Sequence, residues 1–153
     1  MCESPLIHKV SFTGSTRVGK ILMSQASSTL KKLSFELGGN APFIVFDDAD
    51  LDKAVAGVLA CKFRQSGQTC VCANRILVQD GVYDKFAEKL AEAVRKFTVG
   101  EGTKEGVTHG PLIHQAAVDK VQEHVDDAVA QGAKVLVGGK KIDVPGYFFE
   151  PTV

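Results

Sequence analysis

The segment Gly67-Gln68-Thr69-Cys70-Val71-Cys72 sets two thiols one residue apart in a stretch with no helical or strand periodicity. Thiolate chemistry needs a sulfur that is reachable and partly deprotonated, and a loop directly after a helix provides both. Free cysteines also serve as small buried hydrophobes, so each of the pair carries two readings. No metal is expected, because Cys-x-Cys with Cys61 and His109 far away matches no standard zinc ligand set. Arg64 stands where the preceding helix is expected to end. Its plain reading is a cation at a helix C-terminus; beside a nucleophilic Cys70 its guanidinium is placed to grip a substrate carboxylate in bidentate fashion.

A second candidate is Glu36, alone among apolar residues in Leu33-Ser34-Phe35-Glu36-Leu37 and followed by Gly38-Gly39-Asn40. A desolvated carboxylate there has a raised pKa and becomes a general base near neutral pH. On the solvated face of an edge strand it is only a polar residue, and strand alternation leaves the two readings even. The third candidate is the turn Phe12-Thr13-Gly14-Ser15-Thr16-Arg17-Val18-Gly19 between a strand and a helix. Amides at a helix N-terminus with nearby hydroxyls suit a phosphate. The spacing of Gly14 and Gly19 is neither G-x-G-x-x-G nor a P-loop, so an ordinary turn capped by Ser15 or Thr16 is the simpler reading. The four histidines, His8, His109, His114 and His124, fall on loops or a helix face, and most are expected at the surface.

These residues need elements to position them, and short β-rich runs alternate with helical periods, which predicts an α/β fold. Lys9 to Phe12 reads as a strand, followed by a helix with Val18, Ile21, Leu22 and Ala26 inward. Lys32 to Leu37 is a second strand. Pro42 to Phe46 is a third, nearly all apolar and expected to be buried on both faces. Asp47, Asp48 and Asp50 head a helix reaching Arg64, with Leu51, Ala54, Val55, Val58, Leu59 and Phe63 at helical spacing and Cys61 in the core. Arg75 to Val78 reads as a strand and about Val82 to Phe97 as a helix with Tyr83, Phe86, Leu90, Val94 and Phe97 on one side. A Gly-rich loop precedes a helix with Val118, Val121, Val125, Ala128 and Val129 inward, stopped by Gly132 at C′. Lys134 to Val137 is expected to form the next strand.

Composition narrows the function classes. Of 153 residues 44% are apolar, enough for a proper core, and 18 Lys and Arg balance 18 Asp and Glu, so nucleic acid is not an expected partner. Apolar runs such as Phe43 to Phe46 fall far short of the roughly 20 residues of a membrane span. Four cysteines are too few for a secreted disulfide scaffold, which points to a reducing compartment, and Met1 to Ser11 lacks the apolar centre of a signal peptide.

Three motifs in order, Phe12-Thr13-Gly14-Ser15-Thr16 with Gly19, Phe35-Glu36-Leu37-Gly38-Gly39-Asn40-Ala41-Pro42, and Gly67-Gln68-Thr69-Cys70, resemble the aldehyde dehydrogenase superfamily. The resemblance spans essentially the whole chain, including Gly110-Pro111-Leu112-Ile113 and Phe149-Glu150-Pro151-Thr152. Within the superfamily, Lys62 to Arg75 is similar to the succinate-semialdehyde dehydrogenases. The resemblance implies that Cys70 attacks the aldehyde carbon to give a thiohemiacetal, that hydride leaves for NAD or NADP, and that Glu36 activates the water that hydrolyses the remaining thioester. It implies that the Cys70 N–H serves the oxyanion, that Arg64 holds the far carboxylate, and that Gly14, Ser15, Thr16, Gly19 and Leu37 lie on the cofactor side. Cys72 is a candidate redox partner for Cys70 under oxidation.

The same resemblance implies a fold of which this chain holds a part: the end of a Rossmann-like nucleotide-binding domain over residues 1–38, then the first part of an α/β catalytic domain over 39–153. An upstream oxyanion Asn, an upstream Lys at the adenine ribose, a downstream Glu-x-Phe-Gly-Pro and an assembly strand belong to the family pattern and are not in these residues. A fragment is therefore expected, inactive alone. The expected whole is a cytoplasmic or mitochondrial-matrix enzyme, a homo-oligomer (dimer or tetramer) acting on a small aldehyde. Another short carboxylated aldehyde such as glutarate semialdehyde, or a truncated non-catalytic chain, are the alternatives.

Overall fold

The computed structural model describes residues 1–153, which divide into two compact units, Met1–Asn40 and Ala41–Val153. In the first unit, β1 (Lys9–Thr13), α1 (Thr16–Ser27) and β2 (Lys32–Glu36) form a β-α-β unit with parallel strands in register from Lys9 opposite Lys32 to Thr13 opposite Glu36. Both strands alternate: Val10, Phe12, Leu33 and Phe35 are half-buried on one face, and the Phe12 and Phe35 rings meet edge to face at 6.1 Å. Ser15 caps α1, its hydroxyl oxygen accepting from the Val18 N–H at 3.3 Å. Ala26 and Gly19 are buried on the helix, whereas Ile21, expected inward, is exposed. Lys31 Nζ donates to the carbonyls of Ser4 and Ile7 at 2.6 and 2.7 Å, folding the N-terminal residues back and burying Cys2.

The second unit opens with β3 (Ala41–Val45), parallel to β4 (Ala73–Val78), with a register irregularity between Ala41 and Pro42. Between them run α2 (Leu51–Val58), a π-helical turn over Leu59–Phe63 and a 3-10 segment over Arg64–Gly67. The helix expected to reach Arg64 therefore ends as an α-helix at Val58, and the wider π turn shifts the phase of the residues that follow. Asp50 alone caps it, Oδ1 accepting from the N–H groups of Asp52 and Lys53. Cys61 is half-buried, its thiol directed to the Val58 carbonyl.

After β4 come a short 3-10 turn (Asp80–Val82), α3 (Tyr83–Val94) and α4 (Gln115–Ala130). The core comprises Val45, Val55, Val58, Phe86, Leu90 and Val94, where one face of β3 meets α2 and α3. Burial of that face alone explains three departures. Ile44 and Phe46 are exposed, so β3 is covered on one side rather than two. Tyr83 lies half out of the core at the first turn of α3, and α4 buries only Val118, leaving Ala128 and Val129 in solvent. Gly132, at φ 93°, ends α4: its N–H donates to the Val129 carbonyl and that of Ala133 to Ala128. Lys134 to Val137 does not form the expected strand. Leu136 and Val137 exchange only three backbone bonds with Val153 before Gly138 and Gly139 turn the chain at positive φ. No helix is long and apolar enough to cross a membrane.

Candidate active site

The π turn and the 3-10 segment deliver the chain into a bend in which Gln65, Ser66 and Gly67 all have positive φ (49°, 55° and 76°). The first two are not glycine, so the backbone is strained there by about 1–3 kcal/mol per residue, and surrounding bonds must hold it. Ser66 Oγ donates to the Gly110 carbonyl at 3.0 Å, and Gln68 Oε1 accepts from the Ile113 N–H at 2.9 Å. Past the bend a β-turn closes from the Thr69 carbonyl to the Cys72 N–H at 3.1 Å, with Cys70 and Val71 at its tip. Cys70 is exposed, and its own N–H has no acceptor within the chain. Thr69 Oγ1 is buried without a hydrogen-bond partner.

The two thiols part ways. Cys72 is 1% exposed and points its sulfur at the Lys62 carbonyl at 3.6 Å, while Lys62 Nζ donates to Asn74 Oδ1 at 2.8 Å. The far side of the Cys70 turn is thereby tied to the π turn. Arg64 is exposed and its guanidinium makes no ion pair or hydrogen bond, so it is available to an anion.

Among the histidines, most of them expected at the surface, His109 is the buried one, at 8% exposure, where the loop after α3 meets the π turn. Its ring lies 4.0 Å from that of Phe97, and Nε2 is 3.0 Å from the Phe63 carbonyl. A carbonyl only accepts, so Nε2 carries the proton. Burial pushes the His109 pKa down, opposed in part by that bond. His114 caps α4 with Nδ1 accepting from the Ala117 N–H at 3.1 Å. His8 and His124 are exposed. Behind the Cys70 bend, Ser66, Gly67, Gln68, His109, Leu112 and Phe149 line a cavity of about 290 Å³. Neither Cys70 nor Arg64 lines it, so it is not where an aldehyde meets the thiol.

In the first unit, Glu36 ends β2 on the strand's exposed side with Lys32 and Ser34, so the expectation of a desolvated carboxylate gives way to the solvated-face reading. Ser15 is the cap that the plain reading of its turn required, and Gly14 and Thr16 are exposed beside it. Gly14 donates its N–H to the Glu36 carbonyl at 3.0 Å, joining the turn to the end of β2. A Cβ on Gly19 would fall 2.8 Å from Leu37 Cδ2, so Gly19 lets α1 lie directly on Leu37. With the Val18 N–H taken by Ser15, the amides of Thr16 and Arg17 at the head of α1 lack intrahelical acceptors, and the first turn holds no acidic residue, which is compatible with a phosphate there. The spacing of residues in sequence gave no hint of the bonds from Ser66, Gln68 and His109. The signal lay in pairing two distant motifs, Gly67-Gln68 and Gly110-Pro111-Leu112-Ile113.

The whole chain, residues 1–153, matches the aldehyde dehydrogenase family. It is 64% identical over 153 residues to a mitochondrial succinate-semialdehyde dehydrogenase of Arabidopsis thaliana, covering all of this chain and 29% of that protein. It is 66% identical over 148 residues to a glutarate-semialdehyde dehydrogenase of Pseudomonas putida, covering 97% of this chain and 30% of the relative. An E. coli NADP-dependent enzyme of known structure superposes with a TM-score of 0.96 at 62% identity, over 99% of this chain and 31% of that one. The chain thus spans under a third of the length of these relatives and is a fragment of their α/β fold. It belongs to the aldehyde dehydrogenase family.

Proposed function

We propose that this chain carries the nucleophile of an aldehyde dehydrogenase that oxidises succinate semialdehyde to succinate with NAD or NADP. The observation that carries the reading is the state of Cys70: an exposed residue at the tip of a fixed turn, with a backbone N–H that no group of the chain occupies. The Cys70 thiolate attacks the aldehyde carbon, and the carbonyl oxygen becomes an oxyanion. The free Cys70 N–H is a donor for it, and such a donor contributes roughly 3 to 4 kcal/mol in comparable acyl chemistry. Arg64, exposed and unpaired, supplies a fork for the distal carboxylate.

A bound nicotinamide cofactor supplies the hydride acceptor. Gly14, Ser15 and Thr16 would hold its phosphates, Gly19 would let α1 approach it, and Leu37 would lie on the nicotinamide side. Glu36 takes a proton from the water that hydrolyses the acyl group off Cys70. These assignments rest on the family pattern, with Met1–Asn40 as part of the nucleotide-binding domain and Ala41–Val153 as part of the catalytic domain. The whole protein is taken to be a homo-oligomer of the cytoplasm or mitochondrial matrix.

The identity to a glutarate-semialdehyde dehydrogenase favours a second reading, in which the substrate is one methylene longer. Arg64 serves either carboxylate, so comparing kcat/KM for the two aldehydes separates them. The test of the main reading is NADH or NADPH formation with succinate semialdehyde by the enzyme carrying this sequence. Turnover lost in Cys70→Ala and raised KM in Arg64→Ala support it. Turnover that survives Cys70→Ala contradicts it.

A further inference from the structure

Two side chains tie the Cys70 bend to the segment 109–113, Ser66 at the Gly110 carbonyl and Gln68 at the Ile113 N–H. Gln68 accepts the Ile113 N–H on Oε1 at 2.9 Å and directs Nε2 at the carbonyls of Pro111 and Gln65, both at 3.4 Å. It stands between the left-handed residues Gln65 to Gly67 and the β-turn from Thr69 to Cys72. A strained bend keeps one conformation only where its surroundings over-determine it. The neighbouring Thr69 hydroxyl gives no help, since it has no partner. The 2.9 Å bond to Ile113 has good geometry for N–H···O, whereas the two 3.4 Å contacts are beyond the usual range.

We infer that Gln68 is a positioning residue for the nucleophile: through its bond to Ile113 it locks the turn that presents Cys70 onto the Pro111–Ile113 segment. The inference rests on the assignment of Cys70 proposed above. Gln68 touches neither substrate nor cofactor in this role. It acts by keeping the sulfur and the Cys70 N–H in one orientation relative to the aldehyde, which is where displacements well under 1 Å already cost rate.

Hydrogen exchange at the Cys72 amide reads the lock directly, because that amide closes the turn and does not itself bond Gln68. Gln68→Met keeps the length and loses the acceptor; it is expected to speed Cys72 exchange roughly tenfold, the size of one lost hydrogen bond. Gln68→Glu keeps an acceptor for the Ile113 N–H but turns its second oxygen on the Pro111 and Gln65 carbonyls, so it is expected to recover part of the loss and to exchange more slowly than Gln68→Met. Gln68→Asn keeps the amide but falls one methylene short. It is expected to match Gln68→Met and replaces it if the Met variant does not fold. In the active enzyme the Met or Asn variant lowers kcat with little change in KM, and Glu recovers part of it. Unchanged Cys72 exchange in Met and Asn, or Glu as fast as Met, overturns the inference. Cys70→Ser separates this result from the assignment of the nucleophile: it abolishes turnover if Cys70 is the nucleophile and leaves the exchange pattern of the Gln68 variants intact either way.

Discussion

At the scale of single residues, the two thiols of Cys70-Val71-Cys72 do different things because the turn between them sends one out and the other in. Cys72 packs against the Lys62 carbonyl, so a disulfide to Cys70 forms only after that contact is given up. Excess peroxide followed by a reducing thiol is expected to restore more Cys70 in the parent, where a disulfide to Cys72 traps the sulfenic acid, than in Cys72→Ala, where it goes on to the irreversible sulfinic acid; equal recovery in both removes Cys72 as the redox partner. The Thr69 hydroxyl gives a second prediction. A buried oxygen with no partner has already lost its bonds to water, so an isosteric methyl costs nothing. Thr69→Val should therefore melt at or above the parent temperature, and a drop of several degrees would show that the hydroxyl is satisfied in solution.

At the scale of elements, sequence periodicity was informative wherever the controlling interactions are local. β1, α1 and β2 lie where alternation and helical spacing put them, and Ser15, Asp50 and Gly132 cap or end their helices as their types require. The π turn at Leu59–Phe63 was not legible, because its carbonyls are held from elsewhere: Lys62 by the Cys72 thiol and Phe63 by His109. Nor was the exposure of Ile44, Tyr83 and Val129, since an apolar stripe says which side of an element is suited to burial and not whether anything covers it. At the candidate site the exposure of the Cys70 loop was legible from its loss of periodicity, whereas the supports at Ser66, Gln68 and His109 depend on contacts more than forty positions apart in sequence.

His109 also ties the π turn to pH. Its pKa in the folded chain lies below that of the unfolded chain, near 6.5, so the unfolded state takes up more protons as the solution is acidified. The contribution is fully present above about pH 6.5 and is lost as pH falls toward the folded pKa. A thermal melt followed from pH 8 to pH 5 should show this loss in the parent and less of it in His109→Gln. Identical pH profiles would mean that the ring titrates alike in both states.

At the scale of the whole molecule, the Ala41–Val153 unit depends on one core in which β3, α2 and α3 share Val45, Val58 and Phe86. Phe86 is 2% exposed, and Phe86→Ala should cost about 3 to 5 kcal/mol, a large share of an ordinary domain's stability. Exchange protection should fall together in β3, β4, α2 and α3, taking the order of the Cys70 turn with it. A loss confined to α3 would show that the unit is less cooperative than its packing implies.

The central claim, that Cys70 is the sulfur presented to an aldehyde, is tested most directly by peptide-mapped alkylation of the four cysteines with and without succinate semialdehyde. The account predicts that Cys70 is labelled first, well ahead of half-buried Cys61 and buried Cys2 and Cys72, and that the aldehyde slows labelling at Cys70 alone. Labelling at Cys70 no faster than at Cys61, with no protection by the aldehyde, would contradict it.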